Sequence, residues 1–267
     1  MSFRIDHDYH IHSVLSACSN DPEQSTQNIL QYALDNQLNT LVLTDHYWDN
    51  TVPGASDWYK PQDFAWISQA KPLPQHETCR FLFGCETDMN YSGVIGVPES
   101  RFDDFDFIII PTTHLHMPGF AYLAEDGDTV EKRAAVFTRR FEQFLQLNVP
   151  YHKVGLAHIT CPLIMPENDQ YVKVLNCVTD ATFAELFSGC AEKGCGVEIN
   201  LPLAQLTDAS ISDSCLRPYR IAKEQGCKFY CGSDSHHPAG FVGVCDKFRL
   251  AADMLQLTAD DQFIIGG

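Results

Sequence analysis

Short apolar runs alternate with longer amphipathic stretches along this chain. The apolar runs predict strands over Phe3–His12, Thr40–Thr44, Arg80–Cys85, Phe105–Pro111, Lys153–Ala157, Gly196–Asn200 and Cys227–Cys231. Between them, residues three and four apart predict helices. Ile29, Leu30, Ala33 and Leu34 share one helical face, and Asp21-Pro22-Glu23 reads as that helix's start, with Asp as N-cap and Pro in the first turn. Further helices are predicted over Thr129–Leu147, Asp180–Lys193 and Ser212–Gln225, the last two stopped by Gly194 and Gly226. Residues 47–75 read as a loop with a short helix near Asp63–Ala70. Residues 117–130 read as the loosest part, a loop over the site.

Strand, helix, strand at these intervals argues for parallel α/β architecture, and at least seven such units in 267 residues argue for a barrel formed as a single domain over residues 1–267. The hydrophobic share of 45% is enough for a full core. The longest apolar stretch, Phe107–Ile110, is the length of a buried strand and far short of a membrane span. No basic-then-apolar leader opens the chain, so a cytoplasmic location is the expectation. A net charge of -17 counts against a general nucleic-acid surface. Eleven cysteines, odd in number and without a Cys-x-x-Cys pair, read as reduced thiols buried as small hydrophobes, Cys85, Cys177 and Cys231 among them.

The chemistry starts at Asp8-Tyr9-His10-Ile11-His12. Histidines two apart on a strand share a face, where two imidazoles suit a transition metal. His46, Glu86, His114, His158, Asp234 and His236 likewise follow predicted strands, at the end where parallel barrels carry their functional groups. His116 competes with His114. The position nearer the strand favours His114. Six imidazoles and two carboxylates exceed the needs of one ion and suit two or three. Glu86 is the natural bridge, having two oxygens. Ions so bridged would lower the pKa of a shared water toward neutrality, giving a hydroxide nucleophile, and leave the pocket positive, favouring an anionic substrate.

The runs Asp8-Tyr9-His10-Ile11-His12-Ser13, Leu43-Thr44-Asp45-His46, Gly84-Cys85-Glu86, Gly155-Leu156-Ala157-His158 and Gly232-Ser233-Asp234-Ser235-His236 resemble, in order, the PHP (polymerase and histidinol phosphatase) family. The resemblance implies a distorted (β/α)7 TIM-like barrel, two or three divalent ions (Zn, Mn or Fe), and hydrolysis of a small phosphorylated substrate. By that likeness His10, His12, Glu86 and Asp234 hold one ion. Glu86, His114 and His158 hold a second, and His46 with His236 a third. Glu86, Asp234 and His236 are then the catalytic residues, with His236 or Asp234 relaying a proton. Asp8 and Asp45 read as partners fixing ring tautomers.

Two departures stand out. Where family members supply another His or Asp after the first pair, this chain has Cys18, with Asp21 further on. After Val197-Glu198-Ile199-Asn200, where histidinol-phosphatase-like members carry a basic residue, it has Leu201-Pro202-Leu203, which counts against histidinol phosphate. Lys153, Arg217 and Arg101 are the candidate bases for phosphate, and Trp48, Trp58, Tyr59 and Phe120 the candidates for a substrate wall. The alternatives are an amidohydrolase-type metal hydrolase and a non-enzymatic metal-stabilised binding domain. No Gly-x-Ser-x-Gly elbow, Walker loop or Gly-x-Gly-x-x-Gly fingerprint points elsewhere.

Overall fold

A computed structural model of the chain describes residues 1–127, 129–167 and 170–266. Strands β1 (His7–Ile11), β2 (Thr40–Leu43) and β3 (Arg80–Phe83) form one parallel sheet. Strands β4 (Cys85–Glu86), β5 (Ile108–Pro111), β6 (Val154–Ala157), β7 (Gly196–Ile199) and β8 (Lys228–Cys231) form a second, also parallel. The single strand expected over Arg80–Cys85 therefore splits at Gly84. The Gly84 N–H donates to Leu43 O at 2.8 Å, and the next N–H, that of Cys85, donates to Phe107 O at 3.1 Å. Here the chain crosses between neighbours so closely that a Cβ on Gly84 would lie 2.4 Å from Phe107 O.

Of the expected distorted (β/α)7 barrel, the parallel α/β arrangement is present, but hydrogen bonding does not close the ring among the described residues. Between β1 and β8 no ladder forms among the described residues. The Cys231 N–H instead donates to the His7 ring Nε2 at 3.0 Å. Beyond β8, Asp234 N–H donates to His10 O (2.8 Å) and His12 N–H to Ser235 O (3.0 Å). The first and last strands are joined by a side chain and a loop, which leaves the loop's carboxylate and imidazole beside β1.

Eight helices are α1 (Thr26–Asp35), α2 (Phe64–Ile67), α3 (Val130–Gln146), α4 (Tyr171–Cys177), α5 (Asp180–Lys193), α6 (Leu203–Thr207), α7 (Ser212–Glu224) and α8 (Val244–Met254) among the described residues. Helix α1 starts later than Asp21-Pro22 suggests. Ser25 is its N-cap, accepting from Asn28 N–H, and Asp21 makes a turn upstream by accepting from Glu23 N–H at 2.9 Å. Asp63, Thr129 and Thr179 cap α2, α3 and α5 in the same way. Gly194 ends α5 at φ 76, in the left-handed region that favours glycine.

Alternate residues of β5 face opposite layers. Ile108 and Ile110 join the large outer core, while Phe107 and Ile109 join an inner cluster with Tyr9, Val42, Ala157 and Tyr230. That cluster is the apolar floor under the site. The loop over residues 117–130, of which 128 lies outside the described residues, is packed down: Phe120, Ala121 and Tyr122 are buried. Two buried arginines on α3 hold it. Arg133 donates to Leu115 O, Gly127 O and the Tyr122 hydroxyl, and Arg140 to Met89 O, Ala121 O and the Asp88 carboxylate. All eleven cysteines are free, and Cys177, expected inside, is exposed. Among the described residues no helix is long and apolar enough to cross a membrane.

Candidate metal centre

The eight residues singled out from the sequence gather at the C-terminal ends of the strands. His10 lies in β1 and His12 just past it, Glu86 ends β4, and His158 directly follows β6. His46, His114, Asp234 and His236 lie three to five residues beyond β2, β5 and β8. Their donor atoms form three sets, each within 4.8 Å: His10, His12, Glu86 and Asp234; Glu86, His114 and His158; and His12, His46 and His236. His116 joins none of them, so the structure brings His114 to the cluster.

The first set has the dimensions of a tetrahedral cation site. His10 Nε2 lies 3.4 Å from Glu86 Oε2 and 3.3 Å from Asp234 Oδ1. His12 Nε2 lies 3.3 Å and 3.2 Å from the same oxygens, and 3.1 Å from His10 Nε2. Zinc bonds of about 2.0–2.1 Å in a tetrahedron set donor atoms about 3.4 Å apart. Glu86 divides its oxygens between sets. Oε2 serves the first, while Oε1 is 3.3 Å from His158 Nε2 and 3.9 Å from His114 Nε2. Glu86 Oε2 and His46 Nδ1 are buried without a hydrogen-bond partner although 3.1 Å apart. Buried polar atoms are rarely left unpaired, and a shared cation satisfies both, so the residues fit the group. The third set is weaker: His12 Nε2 already belongs to the first, and its Nδ1 is engaged by Ser16 Oγ at 2.9 Å.

The rings of His10, His12, His114 and His158 are each aimed by a buried partner. His10 Nδ1 lies 2.6 Å from Glu198 Oε1, and the other oxygen of Glu198 accepts the His158 N–H at 2.7 Å. His114 Nδ1 is 3.2 Å from Asp88 Oδ2, whose other oxygen takes the Arg140 guanidinium at 2.9 Å. His158 Nδ1 meets Thr113 Oγ1 at 2.8 Å. The sequence reading missed Glu198, Asp88, Thr113 and Ser16. Two of them carried a signal: Glu198 is a carboxylate inside an apolar strand run, and Asp88 follows Glu86 at a spacing of two. Asp45 acts as expected but through an intermediary, accepting from Ser16 Oγ at 2.7 Å. Asp8 touches no ring. It accepts from the Ser233 and His10 N–H groups and the Tyr32 hydroxyl, tying β1 to the loop after β8.

Charge follows from this crowding. Burial alone would raise Glu86, but the His46 and His10 imidazoles hold it well below the usual carboxylate range. Asp234 is likewise lowered, its burial outweighed by His10 and His12. Burial opposes protonation of His12, yet Asp234 and Glu86 carry it up to about 9. His236 falls to about 4 through burial and the neighbouring His12. The carboxylates thus draw positive charge into the cluster, whether as protons or as cations. His158 and Asp234 sit at φ 28 and φ 53, a left-handed conformation that is uncommon for non-glycine residues.

A cavity of about 460 Å³ opens above the cluster. Trp58 and Tyr59 line it as expected, and Cys18 reaches it. Trp48 and Phe120 pack in the core instead. Asp21 does not reach it. The Cys18 thiol is pushed up to about 12 by burial and by Glu86 and Asp234. None of the three candidate bases lines the cavity. Lys153 is spent on Phe102 O and Phe105 O, Arg217 on Asp180 and Leu175 O, and Arg101 on Asp49 and Asp104. Phosphate recognition by those bases is therefore corrected. Each has local acceptors that hold it elsewhere.

No family model matches the chain, and no curated protein matches it by sequence. Two solved structures share its fold. One is a histidinol phosphate phosphatase from Lactococcus lactis subsp. lactis Il1403 complexed with zinc, L-histidinol and phosphate, at TM-score 0.60 and 17% identity, covering 97% of this chain and 98% of that one. The other is a putative histidinol phosphatase from Listeria monocytogenes, at TM-score 0.59 and 13% identity, covering 88% of this chain and 96% of that one. The chain has the mixed α/β fold of these histidinol phosphatases, in agreement with its motif resemblance to the PHP family.

Proposed function

We propose that residues 1–267 form one cytoplasmic domain, a metal-dependent phosphoesterase acting on a small phosphorylated molecule. The observation that carries the reading is the division of Glu86 between two donor sets, one oxygen to each. Divalent ions bound there would lower the pKa of a water and neutralise phosphoryl oxygens. His10, His12, Glu86 and Asp234 would hold one ion, and Glu86, His114 and His158 the other. His46 and His236 offer a partial third set beside Cys18. The fold neighbour that holds zinc and phosphate supports this assignment.

The chain's own groups set orientation and proton traffic. His236 donates through Nδ1 to Asp234 O at 2.9 Å. Its Nε2 therefore keeps a lone pair through the physiological pH range, free to take a proton or a cation. Glu198 and Asp88 hold the rings of His10 and His114 in one tautomer, so little reorganisation accompanies binding. The apolar floor beneath keeps water from these bonds.

Elemental analysis of the purified protein is expected to give at least one zinc-type ion per chain, together with phosphate release from an aryl phosphate. Glu86→Ala is expected to lower kcat/KM by about a hundredfold or more while circular dichroism is unchanged. Undiminished activity in that variant would remove the assignment.

A further inference from the structure

Three buried polar atoms of residues lining the cavity have no hydrogen-bond partner: His46 Nδ1, Glu86 Oε2 and the Tyr59 hydroxyl. The first two belong to the donor sets, where a cation answers for both. Tyr59 belongs to none. It is fully buried, and its ring is clamped edge-on to Trp58 (4.8 Å) and His46 (5.9 Å) and stacked on Phe120 (5.6 Å). The hydroxyl therefore cannot turn out to solvent. Its edge-on contact with His46, a member of the third donor set, places it at the cluster end of the cavity. A buried hydroxyl left unpaired is costly, and the cavity that Tyr59 lines is where a substrate would sit.

The wall supplies a second, independent observation. Away from the imidazoles, the described residues lining the cavity are Cys18, Trp58, Tyr59, Met117 and Leu163, with Glu86 and Asp234 as the carboxylates and no Lys or Arg. Both carboxylates are committed to the cluster. An ammonium on the substrate would meet an apolar wall with no counter-charge, and a second anion would meet no Lys or Arg, each at a desolvation cost.

Resting on the phosphoesterase reading, we propose that this site takes a phosphate monoester of an uncharged, largely apolar alcohol, and that the Tyr59 hydroxyl donates to a phosphoryl oxygen. Water adds across the P–O ester bond, giving inorganic phosphate and the free alcohol, so no further reactant is needed. A tyrosine hydroxyl, with an ordinary pKa of about 10, holds the proton it must donate. Tyr59 binds the phosphoryl group of the substrate in this scheme, and the apolar wall selects the body of the ester.

The test uses zinc-loaded wild type and Tyr59→Phe with three alkyl esters: benzyl phosphate, O-phosphoethanolamine and phosphoglycolate. Wild type is expected to prefer benzyl phosphate by at least about tenfold in kcat/KM, the effect of burying an apolar group against stranding a charge. Tyr59→Phe is expected to weaken inorganic phosphate binding, read by calorimetry, about tenfold to a hundredfold, as loss of one charge-assisted bond implies. Its zinc content and Tm should match wild type. Preference for the amine or for phosphoglycolate with its added carboxylate, or unchanged phosphate affinity in Tyr59→Phe, overturns the proposal while leaving the phosphoesterase reading intact. If Tyr59→Phe fails to fold, the wild-type ester ranking decides. If zinc-loaded wild type hydrolyses none of the three and no aryl phosphate, the parent reading falls and this proposal with it.

Discussion

At the scale of single residues, groups outside the donor sets fix the geometry of those within them. Glu198 binds both the His10 ring and the His158 backbone from inside β7, with no exposure to water. Glu198→Gln keeps the shape but removes the charge that favours the metal-binding tautomer of His10. It is expected to cut zinc affinity about tenfold to a hundredfold with the fold retained, measured by competition with a chromophoric chelator. Gly232 is constrained by space. A Cβ there would lie 2.0 Å from Glu198 Oε1 and 2.7 Å from His10 Cβ. Both neighbours are buried, so neither can yield. Gly232→Ala is expected to displace His10 and to lose bound zinc more than Glu198→Gln does, and retention of full zinc occupancy would contradict this packing argument.

At the scale of elements, α3 does more than cover the sheet. Its Arg140 reaches through Asp88 to the His114 ring, and the same guanidinium holds Met89 O and Ala121 O. Arg140→Met would strand a buried carboxylate and two carbonyls together. The expected loss is about 3–5 kcal/mol, the usual result of breaking a buried pair from one side, measured by urea unfolding. Arg249 and Asp246 on α8 make a solvent-exposed pair three residues apart, and Arg249→Ala should leave the urea midpoint nearly unchanged. The break at Gly84 also belongs to this scale. By moving the chain from β2 to β5, it delivers Glu86 to the centre of the cluster.

At the scale of the whole molecule, stability and ion binding are linked through pH. Without ions the carboxylates are met by protons, and His12 is raised to about 9. A group whose folded pKa is raised adds stability that is complete below its unfolded value and disappears as pH climbs through the folded one. The Tm of metal-free protein is therefore expected to fall between about pH 6.5 and 9, the ordinary and folded values for this ring. Zinc must displace that proton, so the stabilisation it gives should grow over the same window. Scanning calorimetry with and without zinc checks both slopes, and a metal-free Tm that rose with pH would contradict the charge arrangement. The acid-rich chain, at -17, is compatible with a positive site because the cations gather where carboxylates are few and buried.

The sequence by itself determined which residues meet. Apolar runs ending in His, Glu or Asp place their polar residue at one end of a parallel sheet, because strand direction and period two are local properties. That is why His10, His12, His46, Glu86, His114, His158, Asp234 and His236 could be named before any coordinates. Tertiary structure alone decided the rest. The split at Gly84, the unclosed ladder between β1 and β8, the inward turn of Arg133 and Arg140, and the grip of Glu198 and Asp88 on the rings all depend on contacts between distant parts of the chain. A buried charge is indistinguishable from a surface one in a sequence, since what distinguishes it is the partner that folding brings alongside.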